Sequence, residues 1–309
     1  MMKKQQAPSS PHYDVIIVGG GPAGLNAALV LGRCRRRVLL CDAGRPRNAA
    51  SHGLHNFLSR DGIVPAELLR LGREEVERYG VEVRQTEVME ARCHDHGVTV
   101  TLKRGRELSA RKLLLATGVQ DILPEIPGLR ELYGRSVHHC PYCDGWEYRD
   151  QSLAVYGDGK AAVGMALSLL TWTRDLVVCT DGRGLPPPRE LRKLEAQQIA
   201  LRTEKILRLE RRGGRLHRII FAKSAPLERQ GFFFNTAQVQ CSPLAAKLGC
   251  AFDQQGHVIS DRRGRCRVSN LFLAGDCNGN VQFAIVAAAE GASAAVAINT
   301  ELQAQERRI

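Results

Sequence analysis

The sequence has few aromatic residues. Phe, Trp and Tyr together make up 5% of its 309 residues, whereas Lys and Arg (44) outnumber Asp and Glu (32) and give a formal net charge of +12. Proteins that bind single-stranded nucleic acid stack the bases on aromatic side chains, and none of the basic clusters here has aromatic residues between its charges. We therefore expect a solvated basic surface that steers acidic partners towards the chain, and no nucleic-acid binding.

Long apolar segments are also absent. No stretch approaches the ~20 consecutive apolar residues of a transmembrane helix. The first apolar run, residues 15–18, follows Lys3 and Lys4 but is ended by three glycines and a proline. It therefore lacks the length of the apolar region of a secretory signal peptide. The sequence predicts no membrane contact and a cytoplasmic location.

A glycine-rich turn near the start of the chain joins a predicted strand to a predicted helix. Its parts in order are an apolar strand over residues 13–18, the glycines Gly19, Gly21 and Gly24, a helix over residues 25–31, and a strand over residues 38–41 that ends at Asp42. This is the Gly-x-Gly-x-x-Gly pattern of a dinucleotide-binding βαβ unit, whose glycines allow a tight turn and a close approach to a pyrophosphate. The helix N-terminus offers free N–H groups to the phosphates, and Asp42 is expected to accept hydrogen bonds from a ribose.

A second unit of the same kind follows later in the chain. Its parts are a strand over residues 153–156, the Gly157-x-Gly159-x-x-Ala162 turn, a helix over residues 162–170, and a strand over residues 176–180 that is followed by Asp181. Because one domain usually has about 100–200 residues, we expect two domains of the α/β class. Two nucleotide sites in one chain indicate electron transfer between two cofactors, or an old site kept as scaffold.

The other segments carry weaker patterns. Three stretches alternate apolar and polar side chains and predict a small antiparallel sheet, at residues 81–86, 87–94 and 97–103. Residues 113–118, which end in Ala116-Thr117-Gly118, predict a buried parallel strand, and a strand over residues 270–274 leads into Gly275-Asp276. The small residues between 284 and 298 predict a helix that approaches a cofactor or another backbone closely.

Two thiols and a carboxylate lie close together just before the second unit. Cys140 and Cys143 are one helical turn apart, and Asp144 follows directly. A Cys-x-x-Cys turn at the start of a helix favours the thiolate, keeps the second thiol within reach of a mixed disulfide, and can use a neighbouring carboxylate to handle the proton. A zinc site would need more ligands than His138 and His139 add, and the sequence has no second Cys-x-x-Cys or histidine pair. We therefore predict a redox-active pair and no metal.

The other cysteines do not indicate a disulfide framework. The sequence has ten cysteines in all, spread over 309 residues, whereas disulfide-rich scaffolds are far shorter. Most of the ten are expected to be buried thiols, namely Cys34, Cys41, Cys93, Cys179, Cys241, Cys250 and Cys266.

The order of these motifs resembles that of the bacterial low-molecular-weight thioredoxin reductases. Two dinucleotide turns, a Cys-x-x-Cys just before the second, Ala-Thr-Gly in the first unit and Gly-Asp near the C-terminus extend the resemblance over nearly the whole chain. It implies two Rossmann-like three-layer dinucleotide-binding domains, the second inserted into the first. The FAD-binding domain would comprise residues 1–119 and 237–309, and an NAD(P)H-binding-like domain with the thiol pair would comprise residues 120–236. The resemblance also implies a homodimer.

The same resemblance implies roles for single residues. Cys143 would face the flavin, Cys140 would attack the external disulfide, and Asp144 would donate and accept the protons. The residues that would bind FAD are Gly19, Gly21, Pro22, Ala23, Gly24, Asp42, Ala116, Thr117, Gly118, Gly275, Asp276, Gln282, Phe283 and Ala284. The last three stand where the family has Arg-Gln-Ala, so the arginine of that motif is missing.

The sequence departs from the family at the second nucleotide site, which would be formed by Gly157, Gly159, Ala162 and Asp181. NADPH-dependent members have a His-Arg-Arg cluster whose guanidinium groups pair with the 2′-phosphate. This chain has Thr180-Asp181-Gly182-Arg183 at that place. Asp181 would repel a 2′-phosphate and would suit the free ribose of NADH. NADPH, NADH and an unused site therefore all stay open.

The resemblance thus implies an FAD-dependent thiol-disulfide oxidoreductase whose partner is thioredoxin or a small-molecule disulfide or dithiol. Similar departures mark two related groups, and both stay open. One comprises dithiol oxidases of the gliotoxin and holomycin type, which pass electrons to oxygen, and the other comprises thioredoxin reductases whose donor is ferredoxin or is unknown. A hypothesis from a different class is a flavin-bound redox sensor without turnover, against which the intact thiol pair and Asp144 argue.

Overall fold

Two sheets built on parallel strands dominate the computed structural model, which describes residues 13–307. The strands, numbered in chain order, are β1 (Tyr13–Val18), β2 (Val38–Asp42), β3 (Glu82–Gln85), β4 (Val88–His94), β5 (Gly97–Leu102), β6 (Glu107–Leu115), β7 (Val119–Ile122), β8 (Val137–His138), β9 (Leu153–Tyr156), β10 (Leu176–Cys179), β11 (Ala200–Arg202), β12 (Ile206–Arg212), β13 (Arg215–Phe221), β14 (Leu227–Glu228), β15 (Gly231–Phe234), β16 (Ala237–Gln240) and β17 (Leu271–Leu273). The helices are α1 (Pro22–Arg33), α2 (Pro65–Glu77), α3 (Leu129–Leu132), α4 (Pro141–Asp144), α5 (Gly159–Leu169), α6 (Pro188–Ala196), α7 (Leu244–Lys247) and α8 (Ala284–Glu306). Over the same described residues, none of the helices combines the length and the apolar character needed to cross a membrane.

The first sheet has the strand order β3-β2-β1-β6-β5-β4, and β17 also pairs with β6. β1 pairs in parallel with β2 on one side and with β6 on the other. Both faces of β1 are covered, because Val15 and Ile17 pack in one cluster with α1 and α8 while Ile16 and Val18 pack in another with β4 and β5. The predicted βαβ unit is therefore present, and the strand order reverses at β1, which opens a crevice at the C-terminal end of this strand.

The predicted small antiparallel sheet is only partly present. β4 and β5 are antiparallel neighbours, but β5 also pairs with β6, so both strands belong to the first sheet. β3 pairs in parallel with β2 at the opposite edge of that sheet. The prediction was wrong for β3 because alternating apolar and polar residues indicate one buried face but not the partner or the direction of a strand.

The second sheet is entirely parallel, with the strand order β11-β10-β9-β15-β8. The antiparallel strands β12 and β13 cover one of its faces, and α5 and α6 cover the other. β9, α5 and β10 form the predicted second βαβ unit. α5 begins at Gly159, three residues before the predicted start, because Lys160 and Ala161 are good helix formers and extend its first turn back to the glycine.

A two-stranded ribbon connects the two sheets. β7 leads out of the first sheet and pairs in antiparallel fashion with β16, which leads back to it, so that Val119 lies opposite Gln240 and Ile122 opposite Ala237. All strands of the second sheet lie between β7 and β16 in the sequence. The chain therefore leaves the first unit and returns to it at one place.

The C-terminal helix α8 packs along α1. Its inner face consists of small residues, and a Cβ on Gly291 would overlap the backbone carbonyl of Ala23 in α1. Ala287, Ala294 and Ala295 are buried on the same side of the helix. The small residues predicted to allow a close approach to another backbone do so here, and they fix α1 and its preceding turn from behind.

Candidate active site

The first glycine turn lies at the crevice beyond the C-terminal end of β1. Gly19 has φ +115°, and a Cβ at this position would overlap the carbonyl oxygen of Ala116 in the loop after β6. A Cβ at Gly24 would overlap the carbonyl oxygen of Gly19. The turn is therefore packed so tightly against its own backbone and the neighbouring loop that both positions need glycine.

The N-terminus of α1 faces open space. Gly21 precedes the helix, and a Cβ added to it would have no atom within 4 Å. No side chain caps the helix, its first turn carries no acidic residue, and Pro22 occupies the first helical position. Free backbone N–H groups beside an open cradle fit a pyrophosphate, so these residues are suited to the phosphates of a dinucleotide.

Asp42 ends β2 beside this turn. Its Oδ1 accepts a hydrogen bond from the backbone N of Gly44 (3.0 Å), and its Oδ2 accepts one from Arg73 (2.8 Å). The carboxylate packs so closely on Gly20 that a Cβ there would lie 2.5 Å from it. Each carboxylate oxygen can accept two hydrogen bonds, so Asp42 keeps acceptor capacity for a ribose hydroxyl.

The loops after β6 and β17 close the other side of the crevice. Thr117 and Gly118 follow Ala116, and Gly118 has φ +66° with open space around it. Gly275 has φ +84°, and its backbone N donates to Glu290 of α8 (2.8 Å). A Cβ at Gly275 would lie 2.9 Å from the Cβ of Ala23, so these predicted site residues of distant sequence segments lie together.

Arg47, in the loop after β2, joins the predicted site residues near the C-terminus. It donates to Asp276 Oδ2 (2.8 Å) and to Gln282 Oε1 (2.7 Å). Gln282 also forms a reciprocal amide pair with Gln238 of β16, with N–O distances of 2.7 and 2.8 Å. Phe283 and Ala284 follow at the N-terminus of α8. Arg47 thus brings a guanidinium to the Gln282-Phe283-Ala284 segment, which has no arginine of its own.

The same arginine reaches the segment that carries the thiols. Arg47 forms two hydrogen bonds with Asp121 of β7, at 2.8 and 2.7 Å, and donates to His139 Nε2 at 3.3 Å. Tyr133 donates to Asp121 Oδ2 (3.0 Å) and lies 3.0 Å from His139 Nδ1. Because the Tyr133 proton is directed at Asp121, its oxygen accepts the Nδ1–H of His139. Arg47 can only donate, so Nε2 carries no hydrogen and His139 is the neutral imidazole.

The pKa values in this cluster follow from its burial and charges. Burial opposes the ionisation of Asp121, but the paired Arg47 outweighs it and holds the pKa of that carboxyl below its ordinary value. Burial also lowers the pKa of His139, and the neighbouring Asp121 only partly opposes this effect. Asp121 therefore stays ionised and His139 neutral at neutral pH.

The predicted thiol pair is a disulfide in this structure. Cys140 and Cys143 are bonded, with their Cα atoms 5.3 Å apart, across the first turn of α4. The backbone N–H of Cys143 also lies 3.2 Å from the Cys140 sulfur. A hydrogen bond of this kind stabilises a thiolate on Cys140 once the disulfide is reduced.

Asp144 is the last residue of α4 and lies directly after the pair. Its Oδ1 is 3.0 Å from Nδ1 of His138, a buried residue of β8. The Nε2 of the same histidine is 3.2 Å from the hydroxyl of Tyr148, which donates to the carbonyl of Arg135 at 2.6 Å. The predicted acid–base group is thus part of a hydrogen-bonded chain.

The second glycine turn is more open than the first. Gly157 has φ +134° and Gly159 has φ +59°. A Cβ at Gly157 would lie 3.3 Å from Ala162, and one at Gly159 would have no atom within 4 Å. No side chain caps α5. This end of the second unit therefore also has room for a pyrophosphate.

The side chain of Asp181 is directed into the protein and is not exposed at this turn. Its Oδ1 accepts a hydrogen bond from the backbone N of Ile206 (2.8 Å), and its Oδ2 pairs with Lys205 (3.1 Å). The side chain is 6% exposed. Arg183 instead lies over the ring of Tyr156 and donates to its hydroxyl (2.9 Å). The sequence pattern that suggested a ribose ligand coincides here with a buried structural carboxylate.

Three of the residues in these clusters were not singled out from the sequence. Arg47, Asp121 and Tyr133 lie in loops or on an isolated ribbon and carry no local motif. The missing arginine of the Gln282-Phe283-Ala284 motif was the one available signal, because it calls for a cation from elsewhere in the chain. Among residues 13–307 no group of three or more His, Cys, Asp or Glu side chains is arranged to hold a metal ion.

The cysteines outside the pair differ in exposure. Cys41 and Cys179 are buried, as predicted, and burial raises the pKa of each thiol to about 12. Cys93, Cys250 and Cys266 are only partly buried, and Cys34 and Cys241 are exposed, so the prediction of a buried thiol was wrong for Cys34 and Cys241. Cys34 follows the last residue of α1 at the surface, where apolar periodicity no longer decides burial.

Comparisons with known proteins agree with this geometry. Residues 13–291 match the family model of the pyridine nucleotide-disulphide oxidoreductases. A probable thioredoxin reductase of Arthroderma benhamiae is 32% identical over 344 residues, which cover 98% of this chain and 84% of that protein. The crystal structure of a putative thioredoxin reductase TrxB from Bacillus anthracis has a TM-score of 0.90 at 34% identity, over 96% of this chain and 100% of that one. That of HlmI has a TM-score of 0.92 at 37% identity, over 97% and 96%.

These matches confirm the α/β fold with two Rossmann-like units. The family implies FAD and a nicotinamide nucleotide as cofactors. The chain therefore belongs to the pyridine nucleotide-disulphide oxidoreductases and is a thioredoxin reductase-like, FAD-dependent oxidoreductase.

Proposed function

We propose that the Cys140/Cys143 pair passes electrons between the flavin and an external disulfide, with thioredoxin as the first substrate to test. The observation that supports this most directly is the Cys140–Cys143 disulfide at the start of α4, followed at once by Asp144. Such a pair can exist as a dithiol or a disulfide without rearrangement of the backbone, and a carboxylate beside it can transfer the protons.

The exchange would proceed in two steps. The Cys140 thiolate attacks one sulfur of the external disulfide, forms a mixed disulfide and releases the first substrate thiolate. Cys143 then attacks the Cys140 sulfur, so that the Cys140–Cys143 disulfide forms and the second substrate thiolate leaves. Asp144 would give one proton to the first departing thiolate and take the proton of Cys143, and the second thiolate would leave unprotonated and take its proton from water. Two electrons pass from the chain to the substrate.

We propose that FAD lies in the crevice of the first unit. The Gly19–Gly24 turn and the start of α1 would hold its pyrophosphate, Asp42 its adenosine ribose, and Ala116, Thr117, Gly118, Gly275 and Asp276 its flavin side. Arg47 connects this crevice to His139, which directly precedes Cys140. Bound FAD supplies two-electron oxidation and reduction next to the thiol pair.

Substitution of single thiols tests the assignment. Cys143→Ser should abolish turnover with a disulfide substrate, because the mixed disulfide on Cys140 could not be resolved, and should leave a trapped adduct visible by mass spectrometry. Cys241→Ser, an exposed thiol outside the pair, is the matched control and should retain full turnover. Disulfide turnover by Cys143→Ser would refute the proposal.

For the second nucleotide site we propose that it does not discriminate strongly between NADPH and NADH. Asp181 accepts hydrogen bonds from Ile206 N and from Lys205. Its carboxylate is therefore not free to bind a ribose, and Lys205 balances its charge. Arg183 and Lys205 are both exposed near this site, with side chains 48% and 63% exposed. The acid that argued for NADH in the sequence is thus neither a clear ribose ligand nor an unbalanced repulsive charge.

Anaerobic reduction of the flavin tests the donor. The yellow protein would be mixed with NADPH, NADH, reduced ferredoxin or dithiothreitol, and bleaching of the flavin band would be followed. Similar rates with the two nicotinamide nucleotides are expected. A strong preference for NADPH would show that Arg183 and Lys205 bind the 2′-phosphate as a built site and would overturn the proposal.

A dithiol oxidase is the second candidate function, favoured by the absence of a His-Arg-Arg cluster after β10. It would use the same thiol pair in the reverse direction, oxidising a small dithiol and passing two electrons and two protons to oxygen as hydrogen peroxide. Bleaching by a dithiol alone, with peroxide formed when air is admitted, would favour it. Bleaching without turnover in either direction would favour a redox sensor.

We further propose that the chain is a homodimer of two-domain subunits, with residues 120–236 forming the inserted domain between β7 and β16. The outer face of α8 carries a stripe of apolar side chains that are exposed in the single chain: Ile285, Ala289 and Val296. Exposed apolar stripes of this kind mark interfaces. Light scattering should give twice the mass of the chain, and Val296→Glu should weaken the dimer.

A further inference from the structure

His138 is a buried residue two positions before Cys140. Its side chain is 6% exposed, and its ring packs beside those of Tyr148 and Phe233, with centroid distances of 5.2 and 5.5 Å. β8 holds the residue through parallel pairing with β15. The ring therefore has one defined orientation, with Nδ1 directed at Asp144 and Nε2 at Tyr148.

The hydrogen bonds determine which ring nitrogen carries a proton. The oxygen of Tyr148 and the carbonyl oxygen of Arg135 are 2.6 Å apart, a distance that requires the single hydroxyl proton to lie between them. The Tyr148 oxygen must then accept from His138, so Nε2 carries a hydrogen. At the other nitrogen, Nδ1 and Asp144 Oδ1 are 3.0 Å apart, which also requires a proton between them.

Two arrangements satisfy this geometry. Either the proton lies on Nδ1 and an imidazolium faces a carboxylate, or it lies on Asp144 and a neutral imidazole faces a carboxylic acid. Both arrangements have the same total charge, which is zero. His138 and Asp144 therefore form a neutral pair that contains one transferable proton.

We propose that His138 is a positioning residue that holds Asp144 and shares one proton with it, so that the pair serves thiol–disulfide exchange at Cys140 and Cys143. This inference rests on the function proposed above for the two thiols. The pair gives its proton to the departing substrate thiolate and recovers a proton from the Cys143 thiol when that thiol attacks the mixed disulfide. No net proton is gained or lost by the pair over the exchange.

The charge balance leads to an observable consequence. Without the histidine, Asp144 alone would place an unbalanced negative charge beside the thiols, which disfavours a thiolate. The other charged or titratable groups that act on this region include Arg47, Asp121, Tyr133, His139, Glu147, Tyr148 and Arg215. None of these replaces the contact of His138 with the Asp144 carboxylate.

Alkylation of the reduced protein with iodoacetamide over a range of pH tests the inference. An Asn side chain at position 138 can still donate a hydrogen bond near the position of Nδ1 but cannot exchange a proton. We expect His138→Asn to raise the pH midpoint of Cys140 alkylation by about one unit. The double variant His138→Asn/Asp144→Asn should return the midpoint close to that of the wild type, since the unbalanced charge is gone.

Matched controls separate this role from a structural one. His217→Asn alters another histidine near a carboxylate, with Nε2 3.9 Å from Glu228, and should not move the midpoint. Tyr148→Phe removes the acceptor of Nε2–H and should raise the midpoint by less than His138→Asn does, which provides a second test if the latter folds poorly.

An unchanged midpoint in His138→Asn, or a shift that persists in the double variant, would overturn the inference. The assay needs neither flavin nor a nicotinamide nucleotide, because a chemical reductant such as dithiothreitol opens the Cys140–Cys143 disulfide before alkylation. A wild type that shows the expected alkylation behaviour but no disulfide turnover would therefore refute the proposed function and leave the His138–Asp144 pair intact.

Discussion

The two glycine turns share one sequence pattern but differ in how the rest of the molecule uses them. At the first turn, Gly19 and Gly24 pack against backbone carbonyls, and α8 holds α1 from behind. At the second, Gly157 and Gly159 meet at most one side chain. The acids that follow differ in the same way, because Asp42 retains acceptor capacity at the crevice whereas Asp181 is directed into the protein. A shared motif therefore does not imply a shared degree of constraint.

The comparison predicts its largest effect at Gly24. Gly24→Ala would force a Cβ into the carbonyl of Gly19, so we expect a loss of at least about 3 kcal/mol in the free energy of unfolding and loss of bound flavin. Gly164→Ala is the matched control, since this helical glycine of α5 has no atom within 4 Å of the added Cβ. It should stabilise the protein by up to about 1 kcal/mol. Denaturant unfolding and the flavin absorbance would measure both.

The next effect distinguishes the two acids. Asp181→Ala leaves the backbone N of Ile206 without its acceptor in a buried place, so we expect a loss of about 2 kcal/mol in the free energy of unfolding. The ratio of NADPH to NADH rates should stay the same. A changed ratio with unchanged stability would mean that Asp181 is a nucleotide ligand and not a structural carboxylate.

Gly21 tests the open part of the first turn. Its φ of −77° is ordinary and an added Cβ would meet no protein atom, so Gly21→Ala should leave the apoprotein as stable as the wild type. The methyl group would occupy the proposed pyrophosphate cradle, and we expect FAD affinity to fall about tenfold, which is about 1.4 kcal/mol. Titration of the apoprotein with FAD would check this. Unchanged affinity would place the pyrophosphate elsewhere.

The smallest effect concerns the hydrogen-bonded cluster of Arg47, Asp121 and His139, which joins the crevice of the first turn to the segment that carries the thiols. Burial lowers the pKa of His139 from its ordinary value of 6.5, so the unfolded chain takes up the proton more readily than the folded one. Stability should therefore be fully present above about pH 6.5 and decrease as the pH falls through that value. Asp121, whose pKa is also lowered, would lose its contribution only below about pH 4.

The melting temperature between pH 7 and pH 5 measures this contribution. His139→Gln removes the titrating group and should reduce the decrease over this range by about 2 °C. His217→Gln, on the surface of the second unit, should leave the decrease unchanged. An equal decrease in all three proteins would show that other groups dominate this range.

Most of the fold could be predicted from local patterns. Both βαβ units, the buried strand that became β6 and the small-residue helix α8 follow from periodicity and from glycine positions. The direction and partner of β3 could not be predicted, because its alternation is the same for a parallel and an antiparallel neighbour. The start of α5 was missed by three residues for a local reason, since its first turn belongs to the glycine motif itself.

The candidate site was predictable only where its residues form a motif. The glycines, Asp42, Cys140, Cys143 and Asp144 belong to short patterns with a known chemical use. Arg47 contacts Asp276, a residue 229 positions away in the sequence, and no local pattern reports such a contact. The missing arginine of the Gln282 motif showed that a cation was lacking, but not which residue supplies it.

The sequence by itself therefore determined the two nucleotide turns and the thiol pair with its acid. A turn with positive φ or direct backbone contact needs glycine, and a Cys-x-x-Cys pair acts within one helical turn. Neighbouring residues in the sequence therefore encode both the glycine turns and the thiol pair. Only the tertiary structure decided that Asp181 is internal, that Arg47 contacts Asp276 and Gln282, and that His138 lies against Asp144. Burial and hydrogen-bond partners decide the use of a charged side chain, and both depend on segments far apart in the chain.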